Sequence, residues 1–370
     1  PQAEKKDIER ALDLLQQAER PVIISGGGVK HSKAGPQLLK LAESLRIPVA
    51  TSLNGKDTFL ANHPLSAGVV GTYSRGSANR VVSEADLICF IGSKTGGMTT
   101  HFWQVPPIGS NAIQIDIDPE AIGRNYTLKA AVQGDARSVL EVMISLMDPS
   151  TATRRDRWNQ QVKEFVDSWY AEYDHLLKSD ATPIRPERLC NDLTRLLPDD
   201  SLVVVDTGHA GMWMGGMFDV TSTSQNYVRS AGHLGWAFPA GLGAKCALPE
   251  RPVVCFTGDA GFWYHIAEIE TAVRWNINSI TLVNNNSAGN QSKTGFDKAY
   301  GGTQTEQAKE IWNFTKVNFA NIANEIGALG IRVEKPSDFN SALDQALSAN
   351  QPVIIDVVTD VDAIAPIAVT

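Results

Sequence analysis

Val253-Val-Cys-Phe-Thr257-Gly258-Asp259-Ala260-Gly261 is a branched and aromatic apolar run that breaks on a Gly-Asp turn, as a strand ending in a loop does. A helical pattern follows, with Ile266, Ile269 and Val273 on one face, and a second apolar run, Ser279-Ile-Thr-Leu-Val283, ends in Asn284-Asn285-Asn286-Ser287. Strand, helix and strand in this order predict two parallel neighbours whose C-terminal ends share the sheet edge where open α/β folds bind ligands. Gly258 and Gly261 let backbone approach a ligand closely, and the start of the helix offers free N–H groups to phosphate oxygens. Asp259 and a strand-end asparagine are oxygen ligands of the kind Mg2+ prefers. Taken separately, Gly-Asp is a common turn and an asparagine cluster a common cap or turn. Together, 26 positions apart from Asp259 to Asn285, they favour a metal-bridged diphosphate site.

The same alternation extends outward. Leu202-Val-Val-Val205 and Val353-Ile-Ile-Asp-Val-Val358 complete a second α/β series, and an earlier one runs through Pro21–Ser25, Ile47–Ala50, Leu87–Ile91 and Ala112–Ile117. Helical patterns cover Ile8–Ala18 and Pro36–Leu45. Between the series, Pro149 to Pro186 is rich in charges and aromatics (Arg154, Arg155, Trp158, Trp169, Tyr170, Tyr173) and reads as a helical connector carried along the surface. The fold class is α/β, with two doubly wound parallel-sheet domains, 1–148 and 186–370, joined by a helical linker, 149–185. A length of 370 residues agrees, at ~150 residues per domain. The net charge is −8, from 33 Lys+Arg against 41 Asp+Glu without a basic cluster, which excludes nucleic acid and an anionic membrane as main partners. No apolar run approaches the ~20 residues that span a bilayer, and no signal-peptide core opens the chain, so a cytoplasmic location is expected. Cys89, Cys190, Cys246 and Cys255 are scattered as reduced, buried thiols are, not as a disulfide frame or zinc site.

Gly258-Asp259 with Asn284-Asn285 resembles the thiamine-diphosphate signature of the acetolactate synthase and 2-oxo-acid decarboxylase superfamily. Arg20-Pro-Val-Ile-Ile-Ser-Gly-Gly-Gly28 and Ile113-Gln-Ile-Asp-Ile-Asp-Pro119 are similar to its central domain. Asp206-Thr-Gly-His-Ala-Gly-Met-Trp213 and Gly232-His-Leu-Gly-Trp-Ala-Phe-Pro239 are similar to its diphosphate-binding domain. The resemblance implies thiamine diphosphate and Mg2+ as cofactors. Asp259, the Asn285 side chain and the Ser287 carbonyl would hold the metal. Gly208, His209, Ala210, Gly232, Gly258, Ala260 and Gly261 would surround the diphosphate. Leu234 falls where a large apolar residue supports the bent cofactor. The segment departs from the commonest pattern by Ala260 in place of glycine and Leu234 in place of methionine. The implied chemistry is carbanion chemistry carried by the cofactor: decarboxylation of a 2-oxo acid, with transfer of the remaining unit to a proton or an acceptor carbonyl.

The resemblance also implies a glutamate on a preceding pyrimidine-binding domain, which is absent from this chain. A fragment of a longer enzyme is the favoured account, and a subunit whose partner chain supplies that domain the other; the resemblance implies a homo-oligomer, or a partner chain or domain that supplies the pyrimidine-binding part. Gly68-Val-Val-Gly-Thr-Tyr-Ser-Arg75 resembles part of a flavin site, but Lys94 replaces the family's arginine, so FAD, an adenine nucleotide and an empty site all stay open. Gly26–Gly28 invite a dinucleotide reading that lacks its acidic partner ~20 residues on. His233 is the candidate for proton transfer, with a backbone-bonding role weighed equally, and that bland role is favoured for His209. Trp263, Tyr264 and His265 are expected to pack. Lys293 to Gln307 is expected to form a mobile lid. Three functions remain: acetolactate-type carboligation, a lyase or decarboxylase such as a 2-hydroxyacyl-CoA lyase, and a non-catalytic cofactor-binding fragment.

Overall fold

The computed structural model describes residues 3–230 and 232–365, so the outermost residues of the two expected domains, 1–2 and 366–370, lie outside the described residues. The first sheet holds β1 (Pro21–Ser25), β2 (Val49–Thr51), β3 (Ser66–Val69), β4 (Leu87–Ile91), β5 (Ala112–Asp116) and β6 (Leu128–Gln133). Its strands are parallel and ordered β3-β2-β1-β4-β5-β6. The second holds β7 (Leu202–Val205), β8 (Asn226–Arg229), β9 (Val253–Gly258), β10 (Ile280–Asn285), β11 (Leu329–Val333) and β12 (Val353–Val358). Its strands are parallel and ordered β11-β12-β10-β9-β7-β8. Helices cover both faces of a parallel sheet, so its central strands read as unbroken apolar runs. In the first sheet, Ile23, Cys89 and Ile91 face one apolar layer while Val22, Ile24 and Phe90 face the other. This is the doubly wound α/β class expected from the alternation.

By contacts, the chain divides into one unit of residues 3–173 with Asp219–Thr221, and a second of Asp174–Phe218 with Ser222–Ala365. The helix Asp156–Leu177 is therefore no connector carried along the surface over most of its length. Trp158, Val162 and Phe165 complete the first sheet's core, and the Trp158 indole N–H donates to the Pro21 carbonyl (3.0 Å). Arg75 lies buried over the Trp169 ring (4.3 Å). The aromatics that set 149–185 apart in composition are this helix's packing face. Cys246 is exposed, contrary to expectation; the other three cysteines are buried, and all four are free.

Gly26–Gly28 have a packing role. A Cβ on Gly26 would lie 2.1 Å from the Gly92 carbonyl oxygen, and one on Gly28 2.6 Å from the Gly92 Cα. Only glycine lets the ends of β1 and β4 approach this closely. Among the described residues, no helix is long and apolar enough to cross a membrane.

Candidate diphosphate and metal site

Three strand ends of the second sheet open one cavity of about 330 Å3. β7 runs through Asp206 and Thr207 to Gly208, which caps the helix His209–Gly216 at φ +65°, ψ −144°, a conformation open to glycine alone. β9 runs directly into the helix Asp259–Trp263, and β10 into a turn that leads to the helix Asn290–Ala299. Gly208, His209, Ala210, Leu234, Gly258, Asp259, Ala260 and Gly261 all line the cavity, as expected. In the helical pattern after Gly261, Ile266, Ile269 and Val273 turn inward to pack with Phe262 and Val283.

Asp206 braces this edge from below. Its carboxylate is fully buried and accepts the Thr207 N–H (2.8 Å), the Gly235 N–H (3.0 Å from either oxygen) and the Thr257 hydroxyl (2.8 Å). A Cβ on Gly261 would come within 2.8 Å of Asp206 Oδ2, so that glycine lets the turn settle onto the carboxylate. Burial pushes the Asp206 pKa up against the hydrogen bonds that lower it.

Asp259 is 3% exposed and has no cationic partner among the described residues. Oδ1 accepts the Ala260 N–H (2.7 Å) and Oδ2 the Ala288 N–H (3.1 Å), while burial raises its pKa to about 6. The same Ala288 N–H reaches Asn286 Oδ1 at 3.1 Å, so the two side-chain oxygens converge on one point at the cavity wall. The Ala288 carbonyl, on the same wall, accepts no hydrogen bond among the described residues. A desolvated carboxylate, a converging amide oxygen and a free carbonyl form a donor set that fits a hard divalent cation.

The other metal assignments differ from expectation. Asn285 does not line the cavity: its Nδ2 donates to Asp356 Oδ1 (2.8 Å) and the Val317 carbonyl (3.0 Å). Its Oδ1 accepts the Ser287 N–H at 3.2 Å. The Ser287 carbonyl is engaged by the Phe314 N–H (2.8 Å). Side chains alternate across a strand, so one step along the asparagine run exchanges the face towards the ligand for the face towards the core. Asn284 and Asn286 face the cavity instead.

Three buried atoms of residues that line the cavity have no partner in the described protein, Asn284 Oδ1, His209 Nδ1 and Asn290 Oδ1. Such groups are ordinarily satisfied, so they fit a polar occupant. Burial lowers the His209 pKa to about 4, leaving a neutral imidazole against the cavity, and the backbone-bonding role for its Nδ1 is not found. Gly232 and His233 are exposed and do not line the cavity; the His233 N–H donates to Ser230 Oγ (3.3 Å). Trp263, though 41% exposed, packs edge-on against Phe319 (5.0 Å between ring centroids) as expected, whereas Tyr264 is 66% exposed on the cavity wall. Gln291 and Ser292 line the cavity, and no residue of 293–307 does. The helix starts there, at Asn290, three residues before the expected segment.

The first sheet has its own cavity of about 450 Å3, lined by Gly28, His31, Gly92, Lys94, Asp116, Asp118 and Asp135 among others. None of Gly68–Arg75 lines it; Arg75 is paired instead with Asp219 (2.7 Å) and Tyr170 (2.9 Å). Gly28 N–H is held by the Gly92 carbonyl (2.9 Å) and Lys94 Nζ by Asp118 (2.9 Å). With three carboxylates on its wall and these donors engaged, the cavity does not fit the diphosphate of a flavin dinucleotide.

Comparison with known proteins agrees with the second cavity. The profile described as "Thiamine pyrophosphate enzyme, central domain" matches residues 8–143, and that of the "C-terminal TPP binding domain" matches residues 206–357. The chain is 32% identical to a "Probable acetolactate synthase large subunit" of Methanococcus aeolicus, with 96% of this chain and 60% of that protein covered. It is 30% identical to the "Acetolactate synthase isozyme 3 large subunit" of Escherichia coli, over 96% of this chain and 62% of that one. The chain thus spans about 60% of the length of the curated relatives it matches. It belongs to the thiamine-diphosphate-dependent enzyme superfamily, of which it carries the central and the diphosphate-binding domains.

Proposed function

We propose that this chain supplies the diphosphate-and-metal half of a thiamine-diphosphate site that makes or breaks a C–C bond on a 2-oxo acid, in the manner of acetolactate synthase. The observation that carries the reading is the convergence of Asp259 Oδ2 and Asn286 Oδ1 on one N–H in a cavity whose lining residues carry three unpartnered polar atoms. Asp259, Asn286 and the Ala288 carbonyl hold a Mg2+ ion in this reading. The first turn of His209–Gly216 directs N–H groups that lack intrahelical partners at phosphate oxygens. Leu234, 42% exposed at the cavity, offers apolar support to the body of the cofactor. When bound, thiamine diphosphate supplies a stabilised carbanion. This chain binds and orients it, and a pyrimidine-binding domain, from a longer form of the protein or a partner chain, supplies the activating glutamate. A homo-oligomer fits the same reading.

Calorimetric titration with thiamine diphosphate, with and without Mg2+, tests the binding. Saturable binding that needs the metal supports the proposal, and its absence in folded protein overturns it. With the pyrimidine-binding domain present, acetolactate formed from pyruvate supports carboligation, whereas acetaldehyde alone assigns a decarboxylase.

A further inference from the structure

Behind the metal-binding turn, on the side away from the cavity, lies a closed polar network that the proposed chemistry does not use. Asp356, in the middle of β12 and fully buried, accepts the Asn285 amide at Oδ1 (2.8 Å). Its Oδ2 accepts the Phe319 N–H (2.8 Å) and an N–H of Arg332, whose side chain is 27% exposed. The Val317 carbonyl takes the second Asn285 amide hydrogen (3.0 Å) and a further contact from Arg332 (3.3 Å). Both amide hydrogens of Asn285 are thus fixed, which leaves its oxygen one orientation, towards the Ser287 N–H and hydroxyl (3.2 and 3.3 Å).

Ser287 needs that hold. It sits at φ +55°, a left-handed conformation that costs a non-glycine residue about 1 kcal/mol and persists only when its surroundings enforce it. This conformation sends the next N–H, that of Ala288, to the point where Asp259 Oδ2 and Asn286 Oδ1 meet. We infer that Asp356, clamped by Arg332, is the positioning residue of the metal site and acts through Asn285 on the Ser287–Ala288 turn. None of these three side chains lines the cavity, so their effect on the metal is transmitted entirely through the turn. The inference rests on the reading of the cavity as a metal and diphosphate site.

The test uses Asp356→Asn and Arg332→Lys, with Mn2+ in place of Mg2+ and free Mn2+ followed by electron paramagnetic resonance in the presence of thiamine diphosphate. Supporting partners of metal ligands contribute 10- to 100-fold to affinity, so half-saturating Mn2+ is expected to rise about tenfold or more in Asp356→Asn and by a smaller factor in Arg332→Lys. Cofactor affinity at saturating Mn2+ is expected to stay within about twofold of the parent. A purely structural Asp356 lowers the thermal midpoint and leaves half-saturating Mn2+ unchanged, and that result in either folded variant overturns the inference. If Asp356→Asn does not fold, Arg332→Lys decides. A parent chain that binds no Mn2+ with the cofactor overturns the site reading itself, whereas a binding parent with equally binding variants overturns the positioning role alone.

Discussion

The two sheets share six parallel strands and a cavity at the carboxyl edge, and they differ in what stands on the strand ends. In the first unit three aspartates surround the cavity, one of them already paired with Lys94, and the nearby glycines are consumed in packing β1 against β4. In the second, one desolvated carboxylate stands among neutral amides, helix N-termini and unpartnered polar atoms. In the proposed reading the carboxylates of the first edge disfavour a diphosphate and the second edge suits one with its metal. Architecture thus makes an edge available, and the few residues just past each strand decide its ligand.

The largest effect expected from breaking this contrast is at Asp259. Asp259→Asn removes the only carboxylate among the described residues that line the second cavity, and metal-dependent binding of thiamine diphosphate should weaken by roughly 100-fold or more, beyond what supporting residues contribute. Calorimetry at fixed Mg2+ measures it, and unchanged affinity would falsify the metal role. Asn286→Ala should weaken the same binding by about tenfold, whereas a ligand role for Asn285 demands the reverse order of effects for the two alanine variants.

Asp206→Ala comes next, on stability. It leaves the Gly235 N–H and the Thr257 hydroxyl without their buried acceptor, at about 3 kcal/mol in total, measurable by urea unfolding. The corresponding first-sheet residue, Asp116, accepts the Asp118 N–H (3.0 Å), and Asp116→Ala should cost about 1 kcal/mol.

The pH dependence follows from Asp259. Its folded pKa of about 6 lies above the unfolded 3.8, so the folded state binds more protons between these values. Its contribution to the stability of the metal-free chain therefore falls as pH rises through that window and is fully unfavourable above about 6, by up to ~3 kcal/mol. His209 runs oppositely: lowered to about 4 from 6.5, it adds stability as pH rises between them. A His209→Gln background removes the opposing slope, and the difference between it and the same background carrying Asp259→Asn should isolate the Asp259 slope in unfolding curves from pH 4 to 7, because Asp206, also raised by burial, is common to both. Metal binding needs the ionised carboxylate, so half-saturating Mg2+ should rise about tenfold per pH unit below about 6. The smallest effect is at Lys94, whose ion pair with Asp118 is mostly exposed. Lys94→Ala should leave the thermal midpoint unchanged, and parent protein that purifies with bound flavin would contradict the contrast between the cavities.

Eight strands were legible as apolar runs, and the four that were not, β3, β6, β8 and β11, are the edge strands of the two sheets. A central strand is buried on both faces and along both neighbours, whereas an edge strand keeps polar and half-exposed positions such as those of Lys129, Arg229 and Arg332. The aromatics of 149–185 stood out by composition, but nothing local says that Trp158 closes a core around β1.

By itself, the sequence determined the class of fold, the superfamily and the strand ends that matter, because apolar runs ending on Gly-Asp and Asn-Asn encode burial and turn chemistry locally. Only the tertiary structure decided which oxygens reach the cavity. In Asn284-Asn285-Asn286 three identical side chains follow one another, and the pleat of β10 together with Asp356 on the neighbouring strand turns the middle one into the core. That choice depends on a partner 71 residues away, which no local pattern contains.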